Sequence, residues 1–360
     1  GGGGLGSRAR AVAWRPGGAA GGAQCLEAEG LGPRRERLTP HMAETARGRG
    51  VLYIGCSVVL LVLLLGVHYA GLAPRMTPYQ ALAHVFTTIP SGGFSPQARS
   101  IEAFAPAVQW ILVPFMFVAA MNFTLLWQAI VSTPTAPARD TEFRVYLSVF
   151  AVGSLLVSAM LWGNGQFAGL EETLRHGTFQ TATLLTTTGY ASTDFAVWSE
   201  EVLVVLLLLM FASGCVGSTS GGLKLMRWTV GFKVIGRELF QMIHPSSVRP
   251  MWLGRRTVKE PVVRGILIVI LTYLLLVVGG TGFIAVDAHR VGIDLALSEA
   301  FSGTLVVLGN IGPGFGAVGP MGGFEALPVP TKIFMCLLMV AGRLEVMTFL
   351  VVLTPSYWRG

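Results

Sequence analysis

The chain has 360 residues, of which 52% are hydrophobic and only 12% charged, about half the charged share of an ordinary soluble domain. Its net charge of +7 does not point to nucleic acid, because the basic residues form no clustered face with interleaved aromatics and fall between apolar runs. The four cysteines (Cys25, Cys56, Cys215 and Cys336) have neither Cys-x-x-Cys nor Cys/His spacing, which excludes a disulfide framework or zinc site as the organising element.

Residues 1–50 are rich in Gly, Arg and Ala and hold no apolar span, so they read as a flexible cytoplasmic stretch. After them one pattern recurs three times: an apolar helix, a short moderately apolar segment, a Gly-containing turn, and a second apolar helix. The first unit, 51–132, has helices near 51–72 and 104–131 around a short segment at 78–89 and the turn Pro90-Ser91-Gly92-Gly93-Phe94-Ser95. The second, 143–232, has a helix near 143–162, a short segment at 171–185, the turn Thr186-Thr187-Thr188-Gly189-Tyr190-Ala191, and a helix from Glu200. That helix is interrupted by Gly214-Cys215-Val216-Gly217-Ser218-Thr219-Ser220-Gly221-Gly222. A basic connection, 233–261, leads to the third unit, 262–360, with helices near 262–286 and 328–353 around a segment at 293–308 and the turn Gly309-Asn310-Ile311-Gly312-Pro313-Gly314. A hydrocarbon core needs roughly 20 apolar residues per helical crossing, so the pattern predicts six spanning helices and three short re-entrant ones. Lys and Arg concentrate before residue 51, at 133–144 and at 224–264, which places those connections in the cytoplasm and the Gly turns toward the outside.

Non-helical backbone at membrane depth is tolerated only inside protein or beside a water-filled path. One Gly/Thr turn alone is an ordinary loop; three in equivalent positions ask for a pore. Thr187-Thr188-Gly189-Tyr190 is close to the carbonyl-lined loop of potassium channels. The interruption at 214–222 reads as either a mobile loop in the ion path or a close-packed kink. Arg343 and Glu345 lie within an apolar run, where an unpaired charge facing lipid costs about 2.5–3.5 kcal/mol on insertion scales. They read as a latch, with each other or with a neighbouring helix. Lys224 and Arg227 mark the inner membrane edge, and His68, His84 and His176 read as structural or interfacial. A rival intramembrane enzyme lacks support, since there is no His-Glu-x-x-His, paired intramembrane aspartate or nucleophile elbow.

Phe179–Phe195, Gly214–Lys224, Leu308–Gly316 and Gly342–Arg359 resemble the membrane subunits of Trk/Ktr potassium uptake systems, and His41–Ala46 resembles that family's cytoplasmic linker. The resemblance covers roughly 41–360 and implies an all-α membrane protein with potassium-channel-type units around a central pore. It implies a filter at Ser91, Gly92, Gly93, Thr187, Thr188, Gly189, Asn310, Ile311 and Gly312, with K+ held by backbone carbonyls. It implies a gate of Gly214, Gly217, Ser218, Thr219, Ser220, Gly221 and Gly222, with Arg343 projecting toward it; the family pattern has Gly where Ser220 stands. It further implies K+ uptake or symport in a bacterial-type inner membrane, a homodimer contacting membrane lipid, no bound cofactor, and a cytoplasmic nucleotide-binding ring as regulatory partner. Family members have four units around one pore, and this chain holds three. The expectation is therefore a fragment lacking most of a first unit, or an incomplete, non-conducting relative.

Overall fold

The computed structural model describes residues 42–358, apart from Val248 and Arg255. Of the stretch 1–50 expected to be flexible, residues 1–41 lie outside the described residues, and 42–50 are helical instead.

The first unit opens with helix α1 (Met42–Tyr69), which begins nine residues before the expected apolar start at Val51. The short helix α2 (Pro78–Thr88) starts at a capping box: the Gln80 amide donates to Thr77 Oγ1 (3.4 Å) and the Thr77 amide to Gln80 Oε1 (3.3 Å). The returning segment is not the single helix expected near 104–131. It splits into α3 (Pro106–Ala119) and α4 (Phe123–Val131), bent by 99°. Asn122 causes the break, its side chain accepting from the amides of Thr124 (2.9 Å) and Leu125 (3.3 Å) as the N-cap of α4.

The second unit comprises α5 (Thr141–Gly163), the re-entrant α6 (Leu170–Leu185) and α7 (Glu200–Phe211). A non-helical loop then leads to α8 (Leu225–Ile243). The basic connection is not wholly irregular: β1 (Met251–Leu253) and β2 (Arg256–Val258) form an antiparallel hairpin with Met251 opposite Val258. Met251 and Val258 pack with Val230 and Val234 of α8 and with Val263 and Ile266. The third unit comprises α9 (Glu260–Arg290), the re-entrant α10 (Leu297–Gly309), and α11 (Val329–Arg343) bent by 114° into α12 (Val346–Leu353).

Among the described residues, three unbroken helices are long and apolar enough to cross a membrane, or up to five if each bent pair is one span. The sixth expected span, formed by α7 and α8, is not among these, because the break between the two helices runs from Ala212 to Lys224. The unbroken helices are apolar on their outer faces as well: Ile54, Val62, Leu155, Leu275 and Val278 are all exposed. Such surfaces belong in lipid, since the same area in water is an aggregation patch. The re-entrant helices α6 and α10 are instead largely buried between units, whereas α2 keeps Tyr79, Leu82 and Phe86 exposed. The core of the first unit takes in Phe179, Ala182 and Tyr190 from the second. A second core joins Leu184, Leu206 and Phe195 to Leu305, Val307 and Phe315 of the third.

Candidate functional site

The three re-entrant helices end in the same backbone motif. Ser91, Thr187 and Asn310 each sit in the left-handed region (φ 55°, 54° and 54°), and two residues later Gly93, Gly189 and Gly312 are also at positive φ (67°, 87° and 117°). The amides of Ser91, Thr187 and Asn310 bond back three residues, to the carbonyls of Thr88, Leu184 and Val307. The next amides, of Gly92, Thr188 and Ile311, bond back five residues, to Thr87, Thr183 and Val306 (2.8, 2.9 and 2.8 Å). This is a Schellman helix ending, with Ser, Thr or Asn where Gly is usual. Left-handed backbone at three equivalent non-Gly positions is strain held by the surroundings. The motif occupies the amides of each turn at the negative end of a helix dipole and leaves turn carbonyls available to a cation.

The turns also pack head to tail. A Cβ on Gly93 would fall on the Thr188 carbonyl oxygen, and one on Gly189 would fall on the Ile311 carbonyl oxygen. A Cβ on Gly312 meets Gly189 at ordinary contact distance, its Cα at 3.7 Å and its carbonyl oxygen at 3.9 Å. Glycine is thus required by contact as well as by φ at the first two positions. Tyr190 braces one turn on the neighbouring unit: its hydroxyl lies 2.6 Å from Thr87 Oγ1 and 3.0 Å from Thr88 Oγ1, and donates to the His84 carbonyl (3.3 Å). His84 Nε2 lies 3.0 Å from Ser95 Oγ, and His176 Nδ1 lies 2.8 Å from Ser192 Oγ, so both histidines hold loops in place, consistent with the structural role expected of them.

The loop between α7 and α8 lies against these turns and against the two bends. Its neck is closed by the Ser213 amide on the Leu223 carbonyl (3.3 Å) and the Leu225 amide on the Ser213 carbonyl (3.1 Å). The carbonyls of Ala119 and Ala120, freed where α3 ends, accept from the amides of Thr219 (3.2 Å) and Cys215 (2.9 Å). Thr219 Oγ1 also donates to the Ile89 carbonyl (3.0 Å) and lies 2.8 Å from Ser91 Oγ. The Gly221 amide donates to Thr187 Oγ1 (2.8 Å), and a Cβ on Gly221 would crowd the Gly309 carbonyl. Gly214 packs on the Ala120 carbonyl, and Gly217 faces Asn122, whose neighbour Phe123 donates its amide to the Gly217 carbonyl (3.4 Å). Ser218 Oγ donates to the Cys215 carbonyl and touches Ser220 Oγ, each at 2.6 Å. Gly222 lies 3.3 Å, by its would-be Cβ, from Gly309. The Val216 amide is held by Glu142 Oε1 (2.7 Å).

Arg343 and Glu345 do not pair with each other. Arg343 donates to the Thr219 carbonyl (3.1 Å), whereas Glu345 accepts from Arg227 at 2.5 Å. The bend at Leu344–Glu345, where Glu345 has φ 67°, turns the two side chains to different partners. Arg227 is therefore not simply an edge marker: its side chain is 4% exposed and locked into this ion pair. All nine residues expected in the filter and all eight expected in the gate fall within this one cluster. Sequence reasoning missed Ala119, Ala120, Asn122 and Glu142, which hold the loop. Of these, only Asn122 carried a signal, as an N-cap residue type inside an apolar run.

A family model described as "TrkH: Cation transport protein" matches residues 20–359. The chain is 34% identical over 364 residues to the Trk system potassium uptake protein TrkH of Vibrio parahaemolyticus, covering 99% of this chain and 72% of that protein. It is 32% identical to TrkI, the Trk system potassium uptake protein of Halomonas elongata, over 86% of this chain, and spans 61% of the length of that relative. The crystal structure of the potassium transporter TrkH from Vibrio parahaemolyticus superposes with a TM-score of 0.79 at 31% identity, covering 89% of this chain and 66% of that one. These relatives are transport proteins rather than enzymes. With its apolar helices the chain is an integral membrane protein, and it belongs to the TrkH cation transport protein family.

Proposed function

We propose that this chain supplies three sides of a potassium-selective pore and the loop that gates it. The observation that carries the reading is the threefold repetition of a left-handed residue followed two positions later by a positive-φ glycine, with each of the first two glycines against the next unit's carbonyl. Carbonyls at the ends of three re-entrant helices suit a dehydrated cation, and each helix contributes the partial negative charge of its C-terminus. Ser91, Gly92, Gly93, Thr187, Thr188, Gly189, Asn310, Ile311 and Gly312 form the filter in this reading. A further unit closes the side beside Gly312. The loop Gly214–Gly222, held by Arg343, is the barrier beneath.

The names of the relatives, potassium uptake proteins of Trk systems, support K+ as the transported ion. The basic connection after α8 suits docking of a cytoplasmic nucleotide-binding ring, and the distribution of Lys and Arg supports a cytoplasmic N-terminus. Homodimerisation and symport are carried over from the family resemblance.

The test is uptake of radioactive rubidium into vesicles carrying the chain joined behind an upstream helix, pore-loop, helix unit. Unlabelled K+ is expected to suppress uptake at concentrations where Na+ does not. Equal suppression by both ions contradicts a selective filter.

A further inference from the structure

Lys224 occupies the position before the first turn of α8, where its backbone has left the helix and its side chain caps nothing. Helix starts favour Ser, Thr, Asp or Asn, and a cation there opposes the helix dipole. A residue that breaks two local rules marks a site with another demand on it. The Lys224 ammonium folds back over the loop, donating to the Ser220 carbonyl and to Ser220 Oγ (3.1 Å). Ser220 Oγ in turn touches Ser218 Oγ, which is bonded to the Cys215 carbonyl, so one cation secures the loop tip through a chain of hydroxyls. The preceding carbonyl, of Thr219, is held by Arg343 from the third unit. Two consecutive carbonyls of one loop are thus gripped by two basic side chains from different elements.

We propose that Lys224 is a positioning residue of the gate, holding the Ser220 carbonyl while Arg343 holds that of Thr219, so that the loop leaves its place only when both contacts break. The proposal rests on the reading of this loop as the gate. It also gives Ser220 a role that glycine lacks, since its hydroxyl is a second acceptor for the ammonium.

Cys215, 2% exposed at the base of the loop, is a built-in reporter. In vesicles carrying the protein with Cys25, Cys56 and Cys336 changed to Ser, the rate of Cys215 modification by a small thiol reagent is measured beside rubidium flux. Lys224→Met is expected to raise the modification rate by about tenfold, the scale of one charge-assisted hydrogen bond, and to raise flux. Lys224→Arg is expected to restore both, a rescue that a merely space-filling role does not give. Lys224→Gln, which keeps the volume and a neutral donor, carries the test if the Met variant does not fold. An unchanged Cys215 rate in Lys224→Gln or Lys224→Met overturns the proposal. A raised Cys215 rate with no flux in any variant, unmodified protein included, upholds the clamp and overturns the gate reading instead.

Discussion

Replacing Gly189 with Ser probes the proposed filter where one turn packs on the next. The residue has φ 87°, and its new Cβ would fall on the Ile311 carbonyl oxygen. Left-handed backbone costs an L-residue roughly 1–2 kcal/mol, and the overlap forces one of the two loops to move in addition. If the Ile311 carbonyl turns away from a bound ion, a loss of about 1.4 kcal/mol in discrimination lowers the preference for potassium over sodium about tenfold. The assay is inhibition of rubidium uptake by Na+ and by K+, compared between variant and parent at matched amounts of folded protein. Gly312→Ser is the internal comparison: its φ of 117° carries similar strain, yet its Cβ meets Gly189 only at ordinary contact distance, 3.7 Å or more, within the described residues. Equal losses at the two positions signify a further unit packed on Gly312; a smaller loss at Gly312 signifies an open side there. An unchanged preference in Gly189→Ser refutes the assignment of these turns to a filter.

Arg343→Ala removes the hold on the Thr219 carbonyl and a positive charge beside the proposed gate loop, so rubidium flux is expected to rise; lower flux in folded protein contradicts a barrier role. Deleting Ser218–Gly221 is expected to raise flux and weaken selectivity together, because Thr219 and Gly221 also support Ser91 and Thr187; a gain in flux with full selectivity removes that coupling. Glu345→Gln leaves the buried Arg227 without its ion-pair partner and is expected to cost about 3 kcal/mol or more, read as a lower melting temperature in detergent. Tyr190→Phe loses the hydroxyl that joins Thr87, Thr88 and the His84 carbonyl, and is expected to lower stability by about 1–3 kcal/mol and soften selectivity.

The positions of the three turns were legible because re-entrant segments carry local signals: a short apolar stretch, then Gly beside Thr, Ser or Asn. The glycines at 93, 189 and 312 fall in one register of the backbone, although Asn310-Ile311-Gly312 shares little side-chain chemistry with Thr187-Thr188-Gly189. The bend at Leu344–Glu345 was hidden and that at Ala120–Asn122 was marked only by Asn122, because an apolar run has much the same composition whether straight or turned through 99° or 114°. The partner of Glu345 was hidden for another reason. Glu345 and Arg343 lie two residues apart, whereas the ion pair joins residues 118 apart in sequence. The hairpin at Met251–Val258 was masked by the charges around it, which signalled a cytoplasmic connection and nothing about its pairing. The left-handed conformations of Ser91 and Thr187 are set by the neighbouring units and have no sequence signature.

Anomalous diffraction from crystals grown in rubidium tests the central claim most directly. If the repeated turns are three sides of a filter, the strongest rubidium peaks lie between them, within coordination distance of the carbonyls of the Gly92-Gly93, Thr188-Gly189 and Ile311-Gly312 pairs. They fade when sodium replaces rubidium. Peaks only elsewhere in a protein that still takes up rubidium, or equal occupancy by sodium at the turns, contradict the account.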